Sequence, residues 1–164
     1  MNQDLFIDIF GTSFFYRMDR ILNWSNSNGL QLTNGLTAIG SGGMLGHGFN
    51  HTPIYFPEMQ TDFIFAVFAS NFGFLGTLLL LGLIVFFDLN IISLANKSHN
   101  DNDKLLVGGI IAVLLFQQMQ NIGMTLGLLP IMGITLPFIS YGGSSIISYF
   151  FILGIINNSN QDYN

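Results

Sequence analysis

The sequence contains no cysteine and very few charged residues. Only 8% of its 164 residues are Asp, Glu, Lys or Arg, against about 25% in a typical soluble domain, while 50% are hydrophobic. The absence of cysteine excludes disulfides, thiolate metal ligands and a cysteine nucleophile. The four basic residues are too few for the positively charged surface with which proteins bind nucleic acids. The composition therefore indicates an integral membrane protein that does not bind nucleic acid.

Three long apolar segments follow a polar, glycine-rich N-terminal region. No Asp, Glu, Lys, Arg or His occurs in residues 63–87 or in residues 105–161. A helix of 25 residues is roughly 37 Å long, which is enough to cross a hydrocarbon core about 30 Å thick. The sequence predicts an all-α membrane domain over residues 63–164, with transmembrane spans at about 63–87, 105–129 and 139–156.

The N-terminal region, residues 1–62, is predicted to be a large loop region. Six glycines lie between Gly35 and Gly48, both included. Such a stretch is a poor helix former, and it favours sharp turns and close approach of the backbone to other groups. We therefore expect this region to contribute loops to the fold.

The orientation of the spans depends on two lysines. Lys97 and Lys104 are the only basic residues near the ends of the spans, and short loops that carry basic residues lie on the cytoplasmic side of membranes. Residues 88–104 are therefore predicted to form a cytoplasmic loop. With three spans, the C-terminus is then also cytoplasmic, whereas residues 1–62 and 130–137 are extracytoplasmic.

Amide side chains recur on the second predicted span. Gln117 and Asn121 are four residues apart, so in a helix they share one face. Amides in lipid are costly unless they find hydrogen-bonding partners. Two interpretations are open at this point. The amides either bond to neighbouring helices and hold the bundle together, or they line a polar cavity that receives a substrate.

Neither the histidines nor the glycine cluster predicts a metal or phosphate site. His47 and His51 are four residues apart, but they lie among glycines and before a proline, which favours ordinary loop histidines over metal ligands. Residues 40–43, Gly-Ser-Gly-Gly, are not followed by the Gly-Lys-Ser/Thr of a phosphate-binding loop. The sequence therefore predicts no metal and no cofactor.

Two acidic residues lie where the loop region meets the first predicted span. Asp62 immediately precedes the span, and Glu58 lies four residues earlier. Asp is a preferred N-cap residue, and the helix macrodipole also favours a negative charge at that place. The alternative is a general base held at the membrane surface, where a lipid-linked substrate would lie. Of the two, residue chemistry alone favours the cap.

Five sequence motifs occur in an order that is typical of one protein family. They are Ala-Ile-Gly-Ser-Gly-Gly at 38–43, Pro-Glu-Met-Gln-Thr-Asp-Phe-Ile-Phe-Ala-Val at 57–67, Asn-Ile-Gly-Met at 121–124, Gly-Leu-Leu-Pro at 127–130, and Leu-Pro-Phe-Ile-Ser-Tyr-Gly-Gly-Ser-Ser at 136–145. Together they closely resemble the C-terminal part of the shape, elongation, division and sporulation (SEDS) proteins of the RodA/FtsW type. The resemblance covers nearly the whole chain from about Tyr16 and leans toward the rod-shape branch.

This resemblance implies a fold, an activity and partners. The family has a bundle of ten transmembrane helices, and this chain resembles the last three together with the large extracytoplasmic loop before them. Family members are peptidoglycan glycosyltransferases in the bacterial cell membrane. They polymerise lipid II, an undecaprenyl-pyrophosphate disaccharide-peptide, beside a class B penicillin-binding protein that cross-links the strands. Because the first six helices of the family pattern are missing, we expect the isolated chain to be inactive.

The resemblance also implies roles for individual residues. Asp62 occupies the place of the family's essential aspartate and would act as the catalytic base. Arg17 and Arg20 are similar to a basic patch that would steady the pyrophosphate through charge-assisted hydrogen bonds. The residues expected to bind the substrate are Glu58, Arg17, Arg20, Gln117, Asn121 and Ser144.

The chain departs from the family pattern at three positions. Gln60 stands where the family usually has His, and Ser70 and Asn71 stand where an acidic pair is usual. A polar network that uses those two carboxylates would be altered here. Two other functions stay open: a transporter that moves lipid II across the bilayer along polar residues in the spans, and a non-catalytic remnant that docks to a partner in cell wall synthesis.

Overall fold

The computed structural model describes residues 30–97 and 101–159, and this part of the chain is all-α. Four helices follow one another in the order α1 (Leu30–Ser41), α2 (Ile64–Lys97), α3 (Asp101–Thr125) and α4 (Gly143–Ser159). The described residues include no β-strand. The predicted all-α class is therefore confirmed.

Helices α2 and α3 are long and apolar enough to cross a membrane. Only 17% of the most apolar window of α2, and 28% of that of α3, is buried inside the protein. Core helices of soluble proteins bury their apolar side chains, so this outward-facing apolar surface fits contact with lipid. The apolar part of α4, Gly143–Asn157, is shorter, and the third span stays a prediction.

Helix α2 is broken at Gly73. This residue has φ 65° and ψ −166°, a combination that is essentially restricted to glycine. The break separates residues 64–72 from residues 74–97, and the second piece is about 36 Å long. The sequence predicts one continuous helix over 63–87, so both the break and the extension to Lys97 differ from that expectation.

The glycine-rich segment, residues 43–48, supplies hydrogen bonds that the broken helix lacks. Carbonyl groups of this segment accept from the first amides after the break, and its amides donate to carbonyl groups before the break. The four bonds are Phe74 N to Gly43 O (2.8 Å), Leu75 N to Met44 O (3.1 Å), His47 N to Ser70 O (3.1 Å) and Gly48 N to Asn71 O (2.9 Å). The break therefore leaves these backbone groups satisfied, as a membrane protein requires.

Close backbone contact explains why this segment needs glycine. A Cβ atom on Gly46 would lie 2.2 Å from the carbonyl oxygen of Asn71, and one on Gly73 would lie 2.4 Å from the amide nitrogen of Gly46. Real Cβ atoms do not approach backbone so closely, and backbone atoms cannot rotate away as side chains do. The predicted close approach thus occurs where the segment crosses α2.

The expectation of loops is wrong for the start of the glycine-rich stretch, because α1 covers it. Packing stabilises this helix: Ala38 is buried in a cluster with Phe56, Phe63 and Ala66. A Cβ atom on Gly35 would lie 3.1 Å from the ring of Phe63, so the small residue lets the ring pack against the helix. Tertiary contacts here outweigh the low helix propensity of glycine.

The predicted loop over residues 88–104 is wrong for most of its length, because α2 continues to Lys97 and α3 begins at Asp101. Asp88 lies within α2, is buried in the protein, and accepts a hydrogen bond from Gln118 Nε2 at 3.0 Å. The carboxylate does not end the helix, because a donor on α3 satisfies it. Apolar packing of α2, α3 and α4 continues around Ile91, Val107, Leu114, Tyr149 and Ile156.

Helix α3 ends at a glycine cap, four residues before the predicted end at 129. Gly127 has φ 75°, its amide donates to Met124 O at 3.1 Å, and Leu128 N donates to Gly123 O at 2.8 Å. This pair of bonds around a left-handed glycine is the Schellman motif. The chain then turns into the connector, defined here as residues 130–142, which leads to α4.

Candidate functional site

Asp62 lies in the turn that leads into α2. Phe63 N donates to Glu58 O at 3.1 Å, and the carbonyl of Phe63 accepts from Ala66 N and Val67 N at 3.0 and 3.2 Å. Phe63 therefore occupies the N-cap position, and Asp62 lies one residue before it. The helix begins later than the cap interpretation of Asp62 expected.

The side chain of Asp62 is partly buried and faces the connector. A Cβ atom on Gly133 would lie 3.2 Å from Asp62 Oδ2, and Gly133 has φ 67°. Glycine at position 133 thus lets the backbone of the connector pass close to the carboxylate. Sequence reasoning did not single out this residue, although a glycine between two prolines in an apolar connector was a visible signal.

Three consecutive carbonyl groups of the Asp62 turn are hydrogen-bonded from other segments. The donors are Tyr141 N to Gln60 O (2.9 Å), Ser140 Oγ to Thr61 O (2.7 Å) and Asn121 Nδ2 to Asp62 O (2.8 Å). Ser140 Oγ also accepts from Leu136 N at 2.7 Å, which orients the hydroxyl group. The backbone beneath the Asp62 carboxylate is therefore fixed by α3 and by the connector.

Asn121 is fully buried between these segments. Its Nδ2 donates to Asp62 O at 2.8 Å and to Ile134 O at 2.7 Å. The neighbouring Gln120 Nε2 donates to Pro130 O at 2.9 Å. The interpretation of the amides as contacts between segments thus fits both residues, and the burial of Asn121 separates it from any substrate that enters from outside.

Glu58 lies at the exposed side of the same turn with φ 60°. Thr61 Oγ1 donates to Glu58 Oε2 at 2.7 Å, which holds the carboxylate beside the turn. A cavity of about 440 Å³ opens here, lined by Asn50, Thr52, Tyr55, Phe56, Glu58, Met59, Gln60, Thr61 and Val67. Its many hydroxyl, amide and carboxylate groups are suited to a polar ligand.

The structure does not bring Gln117 and Ser144 to the Asp62 turn. Gln117 is half-buried, accepts a hydrogen bond from Tyr149 OH at 3.2 Å, and lines a separate cavity of about 570 Å³ between α3 and α4. Ser144 is exposed in the first turn of α4. Arg17 and Arg20 lie outside the described residues.

Ser140 is the main residue that sequence reasoning missed. It lies in the motif at 136–145, but its partner Thr61 is 79 residues away in the sequence. No spacing rule relates two positions so far apart, whereas the helical spacing of Asn121 was visible. Among the described residues, no group of three His, Asp or Glu side chains is close enough to hold a metal ion.

Residues 6–164 match a family described as cell cycle proteins, FtsW/RodA/SpoVE. Similar proteins include a probable peptidoglycan glycosyltransferase FtsW of Coxiella burnetii, 40% identical over 153 residues, which cover 86% of this chain and 41% of the relative. A probable FtsW of Bacillus subtilis is 37% identical, over 96% of this chain and 40% of the relative. The peptidoglycan glycosyltransferase RodA of Treponema pallidum is 33% identical, over 88% and 36%.

The fold is also similar to a chain of a solved peptidoglycan synthase complex, studied for the coordination of polymerization and crosslinking. The TM-score is 0.73 and the sequence identity 31%, over 90% of this chain and 43% of that chain. The chain therefore spans about two fifths of the length of these relatives. Relatives named FtsW, stage V sporulation protein E and RodA all match, so the lean toward the RodA-like branch is not confirmed.

Proposed function

The chain belongs to the FtsW/RodA/SpoVE family, and on that premise we propose that it forms part of a membrane-bound peptidoglycan glycosyltransferase that acts in cell wall synthesis. Relatives named for this activity are 33% to 40% identical to it. The chain spans only part of the length of these relatives, and we therefore propose, for the whole enzyme, the activity for which they are named. The substrate of the proposed reaction is lipid II, and its product is a longer glycan strand.

In the proposed reaction, a sugar hydroxyl of the acceptor attacks the anomeric carbon of the donor. A new glycosidic C–O bond forms while the bond from that carbon to the pyrophosphate oxygen breaks, and undecaprenyl pyrophosphate leaves. Asp62 accepts the proton of the attacking hydroxyl as general base. Arg17 and Arg20 would stabilise the negative charge on the leaving pyrophosphate, and Glu58 would contact the substrate beside the base.

One observation carries this role for Asp62. The three consecutive carbonyl groups of Gln60, Thr61 and Asp62 each accept a hydrogen bond from a donor outside the turn. A general base must stay within hydrogen-bonding distance of the proton that it removes, so a fixed backbone favours catalysis. A turn that only led into α2 would not need these three carbonyl groups anchored by α3 and the connector.

We also propose an orientation of the chain in the membrane and a protein partner. In this proposal the Asp62 turn faces the outside of the cell, whereas the region 88–104 where α2 is followed by α3, and the C-terminus, face the cytoplasm, because Lys97 and Lys104 lie in that region. The similar solved chain comes from a complex that both polymerises and crosslinks peptidoglycan. This supports a crosslinking partner, which we assign to the class B penicillin-binding proteins.

The decisive experiment replaces Asp62 by Asn in a complete enzyme. A chimera in which this chain replaces the matched segment of the Coxiella burnetii relative supplies full length. Asn cannot accept a proton at neutral pH, so Asp62→Asn should lower lipid II polymerisation by about 10²–10⁴-fold. Asn has nearly the size and shape of Asp, and the bonds that anchor the turn run to backbone carbonyl groups, so the melting temperature should be nearly unchanged.

Glu58→Gln serves as the control, with an expected loss of activity far smaller than that of Asp62→Asn. Polymer yield is measured at matched protein amounts by gel separation of the glycan strands, with melting curves recorded in parallel. Near-normal polymerisation by Asp62→Asn would remove Asp62 from catalysis and leave it a structural role. Transport of lipid II into the outer leaflet without any polymer would instead favour the transporter.

A further inference from the structure

We infer that Asn121 is a positioning residue for Asp62: its amide nitrogen ties the Asp62 turn to the connector and so fixes the direction of the carboxylate. This inference rests on the proposed function of Asp62. It replaces the expectation that Asn121 contacts the substrate, because the side chain is fully buried.

Both hydrogens of the Asn121 amide are used, and each goes to a different segment. Nδ2 donates to the carbonyl of Asp62 at 2.8 Å and to the carbonyl of Ile134 at 2.7 Å. The acceptors lie 59 and 13 residues away in the sequence. One side chain in the last turns of α3 therefore holds together the residue that precedes the N-cap of α2 and the middle of the connector.

The hydrogen bond to the Ile134 carbonyl is important because Ile134 is the neighbour of Gly133 in the connector. Ile134 follows Gly133, and a Cβ atom on Gly133 would lie 3.2 Å from Asp62 Oδ2, so the carboxylate lies close to this glycine. Asn121 thus holds both the backbone of Asp62 itself and the connector backbone that lies beside the Asp62 carboxylate. A shift of either segment would rotate the carboxylate away from its present direction.

Within the described residues, the oxygen end of the Asn121 amide makes no hydrogen bond. Its Oδ1 is buried and has no partner in the described part of the chain. Burial of an unpaired acceptor is unfavourable. A side chain that served packing alone would lose little as an apolar residue of the same shape, so the presence of an amide here points to its two donors.

Gln120 provides a matched control on the same helix. It is buried, and its Nε2 donates to Pro130 O at 2.9 Å. It therefore links α3 to the connector as Asn121 does, but this bond does not reach the Asp62 turn. Asn121→Leu and Gln120→Leu remove comparable donors, and only the first should free Asp62.

The first experiment measures the exposure of position 62 without using activity. Because the chain has no cysteine, Asp62→Cys introduces a single thiol whose labelling rate by a small maleimide reports opening of the turn. In the 164-residue chain in detergent, Asn121→Leu should raise this rate about fivefold to tenfold, since labelling of a partly buried site follows local opening. Gln120→Leu should change it less than about twofold.

A third variant separates hydrogen bonding from packing. Asn121→Asp keeps the shape of the side chain and places an oxygen where the donating nitrogen was, opposite two carbonyl oxygens. It should raise the labelling rate at least as much as Asn121→Leu. If Asn121→Asp protects the thiol as well as Asn does, packing alone holds the turn and the inference is wrong.

The second experiment uses the chimeric enzyme and separates kcat from KM. A positioning role predicts that Asn121→Leu lowers kcat by about 10- to 100-fold while KM for lipid II stays within about twofold. A raised KM with normal kcat would show a substrate contact and overturn the inference. Equal kcat losses in Asn121→Leu and Gln120→Leu would show a general scaffold role and also overturn it.

The results distinguish a failure of this inference from a failure of the proposed function. If Asp62→Asn retains polymerisation, the proposed function is lost, but the labelling rates still decide whether Asn121 holds the turn. If Asp62→Asn is inactive and Asn121→Leu has normal labelling and normal kcat, the proposed function survives and the role of Asn121 is refuted.

Discussion

Replacing Gly73 by Ala should severely destabilise the protein, whereas the same change at Gly82 should not. Both glycines lie in α2. The three atoms nearest to a Cβ atom on Gly73 would all be backbone, with Gly46 N at 2.4 Å and Leu45 N at 2.6 Å, while one on Gly82 meets nothing within 4 Å. These two variants make the same chemical change in the same helix, but only Gly73 lies where residues 43–48 pack closely against α2.

The expected magnitude has two parts. Ala in the backbone conformation of Gly73 costs about 1–3 kcal/mol in strain. Its methyl group must also push the glycine-rich segment away, and such overpacking typically costs about 1–3 kcal/mol. The total of about 2–6 kcal/mol corresponds to a lower melting temperature by about 5–20 °C for a chain of this size. Gly82→Ala should instead stabilise the helix by up to about 1 kcal/mol.

Melting curves of the two purified variants in the same detergent, followed by circular dichroism, measure the difference. Labelling of a cysteine introduced at Ser70 adds a local measurement, because this buried side chain lies at the crossing. Equal melting temperatures for the two variants would refute the reasoning, since they would show that the backbone adapts to a methyl group at the break.

Two further predictions concern the connection between α2 and α3. Gln118→Leu removes the amide that donates to the buried Asp88 carboxylate and should lower the melting temperature. Adding Asp88→Leu should restore it, because losing both polar partners costs less than leaving one of them unpaired; a double variant less stable than Gln118→Leu would contradict this. A cysteine at Ser98 should resist membrane-impermeant reagents in intact cells and react after lysis, as expected for a cytoplasmic connection; labelling in intact cells would invert the topology.

Hydropathy indicated long apolar helices, two of which the structure contains, because it is a local property, but it missed features that need a distant partner. The break at Gly73 is stabilised by residues 43–48, which no local pattern relates to it. Likewise, Asp88 was expected to begin a loop, since a charge usually ends an apolar span. It stays helical because Gln118, 30 residues later, donates to it.

The candidate site was predictable in part for the same reason. The motif at 57–67 identified Asp62 and Glu58, because both belong to one short segment. The bonds that anchor Asp62 come from Asn121 and Ser140, and these contacts arise only when the helices pack. Sequence spacing placed Asn121 and Gln117 on one face of α3, yet it could not show that one is enclosed and the other lines a cavity.

The break in α2 also has a consequence for biogenesis. Residues 74–97 form a helix about 36 Å long, which can insert into the bilayer as soon as it is made. Residues 64–72 are shorter than the roughly 12–15 residues that an isolated helix needs in water, so they depend on later contacts. Asn121 and Ser140 are synthesised after this piece, and both are needed to anchor the turn before it. The hydrogen bonds from Asn121 and Ser140 to the Asp62 turn therefore form only after translation has passed the connector.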